Sequence, residues 1–324
     1  MVRVLSDADV ASVLDLSELL GAVAKAFHKQ AAGETERPQR PHFSVGRGLC
    51  AEIREEPAGT GLVMPAYVYG RPYYATKLAS VHEGNLERGL ATVNAQIALN
   101  QAETGLPVAY MDGTRITNAR TGIVGGLAAR ELAEESVTLG VLGAGTQARW
   151  QTRAVAAATD LREVRFYSPS GSRKQCAEDM SAELDVETRA VSSPAETVEG
   201  ASVVITATTA REPVFPAEAL APGTVVVAVG AYTAEMQELA PEVFERAGRL
   251  FADVPEEAAE TGDALAAGLE ADDFRPFAEL LDEERDEHEI VVVKSVGTAV
   301  LDAVTAEYVY EAAVEDGIGS EIEL

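Results

Sequence analysis

The segment Val137 to Ala148, VTLGVLGAGTQA, constrains this chain more than any other, because an apolar strand-like run passes directly into GxGxxA and a helical pattern. Gly143 permits the tight turn, Gly145 lets the backbone approach a ligand closely, and the small Ala148 lets helix pack on strand. A helix that starts there presents amide donors and the positive end of its dipole, which suits a pyrophosphate. Val-rich segments then recur with amphipathic helical patterns between them: VRFYS, Val186 to Ala190, ASVVITATT, GTVVVAVG, LFADV and EIVVVKSVG. Strands apolar on both faces that alternate with helices form a parallel sheet covered on both sides. The expected class is α/β, a Rossmann-type doubly wound parallel sheet that binds a dinucleotide.

The second strand of such a sheet usually ends in Asp or Glu when the ligand is NAD, roughly 20 residues after the first glycine. Here the chain reads Tyr167, Ser168, Pro169, Ser170, Gly171, Ser172, Arg173, Lys174, with hydroxyls in place of the acid and two cations just beyond. Ser168, Ser170 and Arg173 are therefore candidates for holding a 2′-phosphate. This favours NADP(H), with NAD(H) as the alternative if the segment is only a loop and a helix start.

The chain ahead of this region has a different texture. Ser6 to Gly33 reads as one helix, capped at Ser6 or Asp7, with Val10, Val13, Leu14, Leu19, Leu20, Val23 and Phe27 on its apolar side. Short strand-like runs follow, PHFSV, GLCAEI, GLVMPAYVY and YYATKLASV, broken by Pro and Gly. After a polar loop at His82 to Gly89, ATVNAQIALNQAETGLPVAYMDG reads as two strands about an ETGLP turn, and Ile116 to Leu132 as a helix. This is an α+β pattern with an antiparallel sheet.

Charge removes several functions. Against 26 Lys and Arg the chain carries 53 Asp and Glu, a formal net charge of −27, which repels phosphate backbones and anionic membranes. The basic residues are mostly Arg, with lysine only at 25, 29, 77, 174 and 294, and the acids are spread along the whole chain. Such a surface points to a halophilic, salt-in cytoplasm where counterions screen the self-repulsion. No apolar run approaches the roughly 20 residues that span a bilayer, and no secretory signal pattern opens the chain. Cys50 and Cys176 stand apart without CxxC or His-rich partners, so unpaired thiols and no metal are expected.

In so acidic a chain, Lys77 inside the apolar YYATKLASV and Arg120 inside TNARTGIVGG stand where burial is expected, and Arg40 in PQRPHF is a third such cation. A buried cation must find an anion, either an internal acid or the carboxylate of a small ligand. Together with LVMPAYVY, ATVNAQIALNQAETGLPVAYMDG, ITNARTGIVGGLAARELA, LGVLGAGTQA and VVVKSVGTAVLDA, these segments resemble, in order and over nearly the whole chain, the ornithine cyclodeaminase and mu-crystallin family. That family also includes archaeal alanine dehydrogenases and ketimine or pyrroline-carboxylate reductases.

The resemblance implies a substrate-binding and dimerisation domain from residues 1–115 with 305–324, a dinucleotide-binding domain over 116–304, and a homodimer. It implies that Arg40, Lys77 and Arg120 hold a substrate carboxylate, with Lys77 also acting on the carbonyl, imine or amine. It adds Thr121, Thr146, Gln147, Thr208 and Ser295 to Gly143, Gly145, Ser168, Ser170 and Arg173 as cofactor contacts. Cyclodeaminases of this family carry an aspartate just after the VG of GTVVVAVG, and here that position falls on Tyr232. The implied function is an NAD(P)H-dependent oxidoreductase acting on a small α-imino or α-amino acid: a ketimine or pyrroline-carboxylate reductase, or an alanine dehydrogenase. The alternatives are an ornithine cyclodeaminase, an NAD-dependent ammonia-lyase, and a protein that binds NADPH and a carboxylate ligand without turnover.

Overall fold

The computed structural model describes residues 1–49, 56–134 and 136–323, so Cys50 and most of the GLCAEI run lie outside the described residues. Strand β1 (Val2–Leu5) precedes helices α1 (Asp7–Val13) and α2 (Leu16–Ala31). Strands β2 (Thr35–Glu36), β3 (His42–Val45), β4 (Gly59–Val68), β5 (Tyr73–Val81), β6 (Val93–Gln101) and β7 (Pro107–Asp112) lead to helix α3 (Gly113–Leu132). Then come β8 (Ser136–Leu142), α4 (Thr146–Ala158), β9 (Asp160–Tyr167), α5 (Ser172–Glu183), β10 (Glu187–Ala190), α6 (Pro194–Val198), β11 (Val203–Thr206) and β12 (Val225–Ala228). The remainder is α7 (Pro241–Arg246), β13 (Ala247–Ala252), α8 (Pro255–Ala258), α9 (Gly262–Ala267), β14 (Arg275–Pro276), α10 (Phe277–Leu280), β15 (Ile290–Lys294), α11 (Ala299–Glu315) and β16 (Ser320–Ile322).

The chain divides into two compact units. The first comprises Met1–Asp15, Lys29–Arg120 and Ala299–Leu324. Its sheet runs β16-β1-β7-β6-β5-β4-β2, with β3 also on β4, and every pair is antiparallel except β1 with β7. Alternation along the strands sends Met64, Ala66, Ala75, Lys77, Ile97 and Leu99 to the buried face, and α11 packs across β4, β5 and β6.

The stretch from Ser6 to Gly33 that the apolar spacing predicts as one helix is two helices, with strand β1 just ahead of it. Ser6 does cap α1, with a full capping box: Asp9 N–H donates to Ser6 Oγ at 3.3 Å and Ser6 N–H to Asp9 Oδ2 at 2.9 Å. At Leu14 the backbone turns extended (φ −84°, ψ 112°), and the next N–H, of Asp15, donates to the Tyr308 hydroxyl at 3.3 Å. A long-range hydrogen bond thus takes the place of the helical one that local periodicity favours.

The second unit comprises Leu16–His28 and Thr121–Thr298. Its sheet runs β10-β9-β8-β11-β12-β15-β13-β14 with every neighbouring pair parallel. Strands β8, β11, β12 and β15 are almost wholly buried, as Val-rich strands covered on both faces must be. α2 belongs here because Phe27 packs on Phe277 with ring centroids 4.3 Å apart. The order reverses at β8, with β9 on one side and β11 on the other, and a ligand of such a sheet binds at the carboxyl end of that strand.

Candidate active site

The turn after β8 is shaped by two glycines with different reasons. Gly143 has φ +126°, and a Cβ there would lie 2.4 Å from the Ala207 carbonyl oxygen, so only glycine fits. Gly145 is the N-cap of α4 in an ordinary extended conformation, and a Cβ there would meet no protein atom within 4 Å. The N-cap Gly145 brings no side chain to this end of α4, and a helix N-terminus with its positive dipole end suits an anion. Thr146 and Gln147 form the first turn, and Ala148 is buried against the sheet, as a dinucleotide turn requires. These residues fit a dinucleotide pyrophosphate. Arg149, which sequence reasoning did not single out, braces the turn: it donates to the Ala144 carbonyl at 2.7 Å and pairs with Asp179 of α5 at 2.6 Å.

At the end of β9 the hydroxyls of Ser168, Ser170 and Ser172 form a chain, 3.1 Å and 2.5 Å apart. Arg173 folds back on this loop, donating to the carbonyls of Ser168 at 2.7 Å and Ser170 at 3.0 Å, with its guanidinium 5.8 Å from the centre of the Tyr167 ring. No acid lies between Tyr167 and Arg173.

The ends of β11 and β12 are joined by a buried carboxylate. Glu238 accepts from the Thr206 hydroxyl at 2.9 Å and from the amides of Thr208 at 2.6 Å, Gly230 at 2.8 Å and Ala231 at 3.2 Å. Asp263 accepts from the amides of Glu238 and Leu239 and pairs with Lys294 at 2.8 Å, while Lys294 donates to the Ala231 carbonyl at 2.6 Å. The backbone before the exposed Tyr232 is thereby held from both sides. Ser295 is buried and its hydroxyl donates to Asp253 at 2.7 Å, an acid that also takes the amides of Val296 and Gly297. The Thr121 carbonyl accepts from Gln151 at 2.8 Å.

In the first unit two of the three cations expected to be buried are buried: Lys77 is 2% and Arg120 5% exposed. Both meet Asp302, in the first turn of α11. Its Oδ2 lies 2.6 Å from Lys77 Nζ, and its Oδ1 accepts from Arg120 Nε at 2.9 Å. Burial depresses the Lys77 ammonium from its ordinary range to about 8; Asp302 pulls it up and the guanidinium charges of Arg120 and Arg40 push it down. Burial pushes the Asp302 carboxyl up, but Lys77 and Arg120 outweigh it and hold the group below its usual range. The half-buried Arg40, between β2 and β3, acts on Lys77 through its charge. Asp302 was not singled out from sequence, and the signal that would have found it is an acid inside the apolar TAVLDAV. Among the described residues no group of His, Cys, Asp or Glu is placed to hold a metal, and no helix is long and apolar enough to cross a membrane.

A parallel sheet with a glycine-shaped anion turn at its switch point in one unit, and a cation-rich buried centre in the other, define a two-unit dinucleotide-binding α/β protein. The chain belongs to the ornithine cyclodeaminase/mu-crystallin family, whose profile matches residues 2–317. It is 33% identical to the alanine dehydrogenase of Archaeoglobus fulgidus, over 98% of this chain and 97% of that one. The structure of Thermococcus litoralis Δ1-pyrroline-2-carboxylate reductase in complex with NADH and L-proline superposes with a TM-score of 0.91 at 32% identity, covering 99% of this chain and 100% of that one. An archaeal alanine dehydrogenase dimer with bound NAD gives a TM-score of 0.89 at 30% identity, covering 100% and 99%.

Proposed function

We propose that this protein is an NAD(P)H-dependent oxidoreductase that interconverts a small α-imino or α-keto acid and its α-amino acid. The observation that carries the reading is the buried cluster in which one carboxylate, Asp302, faces Lys77 and Arg120, with the charge of Arg40 also felt at Lys77. A surplus of positive charge taken out of water calls for an anion, and a substrate carboxylate supplies it. Arg120 meets Asp302 through Nε, so its two terminal nitrogens can fork onto that carboxylate, with Arg40 as second holder. Lys77, titrating at about 8, carries a proton at neutral pH and gives it up readily, the property wanted for protonating an imine or carbonyl. A nicotinamide supplies or accepts the hydride when bound.

Consumption of NADPH and NADH followed by absorbance tests the reading, with pyrroline-2-carboxylate and with pyruvate plus ammonium as substrates. Turnover of either is the expected result; ammonia released from ornithine without dinucleotide consumption would overturn it in favour of a cyclodeaminase. Against that alternative, the residue after Ala231 is the phenol Tyr232, and the nearby Glu238 is buried with four donors already on its carboxylate. Neither offers a carboxylate to a diamine.

The acid-free loop from Ser168 to Arg173 supports NADP(H). NAD(H) is the second reading, favoured because Arg173 is engaged by its own loop carbonyls and because the two solved relatives hold NADH and NAD. For assembly, the outward face of the first unit's sheet is nearly free of charge: Val4, Tyr110, Ala98, Thr76 and Pro65 stand in register across five strands, with Leu78 beside them. In a chain of net charge −27 such a face suits a second copy of itself, and the alanine dehydrogenase dimer supports this homodimer. The acidic composition supports a cytoplasmic, halophilic setting.

A further inference from the structure

Asp302 is 1% exposed and its two oxygens are divided between two cations that come from different elements. Lys77 stands on β5 and Arg120 on α3, so one carboxylate on α11 ties together three parts of the same unit. Cations this near each other repel strongly where water is excluded, and without a shared counter-charge neither head would hold a fixed place. Among the described residues, the groups whose charge is felt at Lys77 are Asp302 from α11, Arg120 from α3 and Arg40 from the segment between β2 and β3. Its register neighbours on β4 and β6, Met64 and Ile97, do not titrate. Of these influences Asp302 alone favours the ammonium form.

We propose that Asp302 is the positioning residue of this site: it fixes the spacing of Lys77 and Arg120 and keeps Lys77 protonated until a substrate carboxylate joins the two cations. The inference rests on reading the cluster as a substrate site and goes beyond it, because it assigns control of the Lys77 proton to an acid that acts through the two cations it pairs with. Arrival of a ligand carboxylate then adds a second negative charge to the cluster, and the proton of Lys77 remains available for transfer rather than lost to solvent.

The test is the pH dependence of binding of pyrrole-2-carboxylate, a small carboxylate with no reducible imine, measured by calorimetry from pH 6 to 10 with the dinucleotide present. In the wild type affinity should fall above about pH 8, where Lys77 loses its charge. In Asp302→Asn the break should move down by at least about one unit, a tenfold change in the protonated fraction per unit, and Asp302→Glu should bring it back. A folded Asp302→Asn whose break does not move would overturn the proposal. Should Asp302→Asn fail to fold, Lys77→Met/Asp302→Asn should recover the melting temperature, and no recovery would overturn it equally. If the wild type binds the probe with the expected break but oxidises no NADPH or NADH, the proposed reaction fails and the role of Asp302 stands. Failure of the wild type to bind the probe would overturn both.

Discussion

Burial at Lys77, offset by Asp302 and reinforced by Arg120 and Arg40, leaves an ammonium that titrates at about 8. Lys77→Met keeps much of the stem's volume but has no proton to move, so turnover should fall by about 10² to 10⁴ with dinucleotide affinity unchanged. A folded variant keeping more than about a tenth of the rate would remove the proton-transfer role. The rate of reduction should be level near neutrality and decline above about pH 8 as Lys77 deprotonates. For stability the sign is opposite to that of an ordinary paired lysine. The folded value lies below 10.5, so the unfolded chain binds the extra proton between about 8 and 10.5. The cost of burying the charge is therefore fully present below pH 8 and is relieved as pH rises through that window. At the ribose end, Arg173→Ala should weaken NADPH binding about tenfold or more and leave NADH binding nearly unchanged if the guanidinium reads a 2′-phosphate, since a charge-assisted hydrogen bond contributes about 1.5 to 3 kcal/mol. Equal losses in a fluorescence titration would mean that Arg173 only closes its loop over Tyr167.

The turn between β8 and α4 separates folding from binding at the scale of an element. Gly143→Ala must place a Cβ against the Ala207 carbonyl at φ +126°, so it should destabilise the second unit by about 2 kcal/mol or more. Gly145→Ala finds open space and an ordinary backbone, so thermal unfolding should change by less than about 1 kcal/mol while dinucleotide affinity drops at least tenfold. Unchanged affinity in Gly145→Ala would show that the pyrophosphate does not lie there. This turn was legible because its constraints are local: glycine spacing, strand before, helix after. The span of β5 and the start of α4 were equally legible from alternation and from the GxGxxA register. The break at Leu14 and the strand β1 were not, because each depends on a partner far along the chain, Tyr308 for one and β7 with β16 for the other. The same limit hid half of the candidate site. Lys77 and Arg120 stand out as cations in apolar surroundings, but Asp302 lies 182 residues beyond Arg120, and no local pattern announces that pairing. Lys294, Asp263 and Glu238 were hidden for the same reason, since their partners come from separate strand ends.

Across the whole molecule the dominant fact is a net charge of −27, which no single ion pair offsets. The melting temperature should rise steeply from dilute buffer to molar KCl as counterions screen the self-repulsion. A midpoint that does not change over that range would remove the halophilic reading. The cations that suit a carboxylate belong to the first unit and the glycine-shaped turn to the second. α3 carries Arg120 as the last residue of one and Thr121 as the first of the other. Passage of a hydride between a nicotinamide and the α-carbon of a small imino or amino acid is tested by supplying NADPH or NADH deuterated at C4 on each face in turn, with pyrroline-2-carboxylate or with pyruvate and ammonium, and weighing the amino acid formed. One deuterium is expected at the α-carbon of proline or alanine from one face of the nicotinamide and none from the other. Product without label from either face, or no amino acid formed while ornithine loses ammonia, would contradict it.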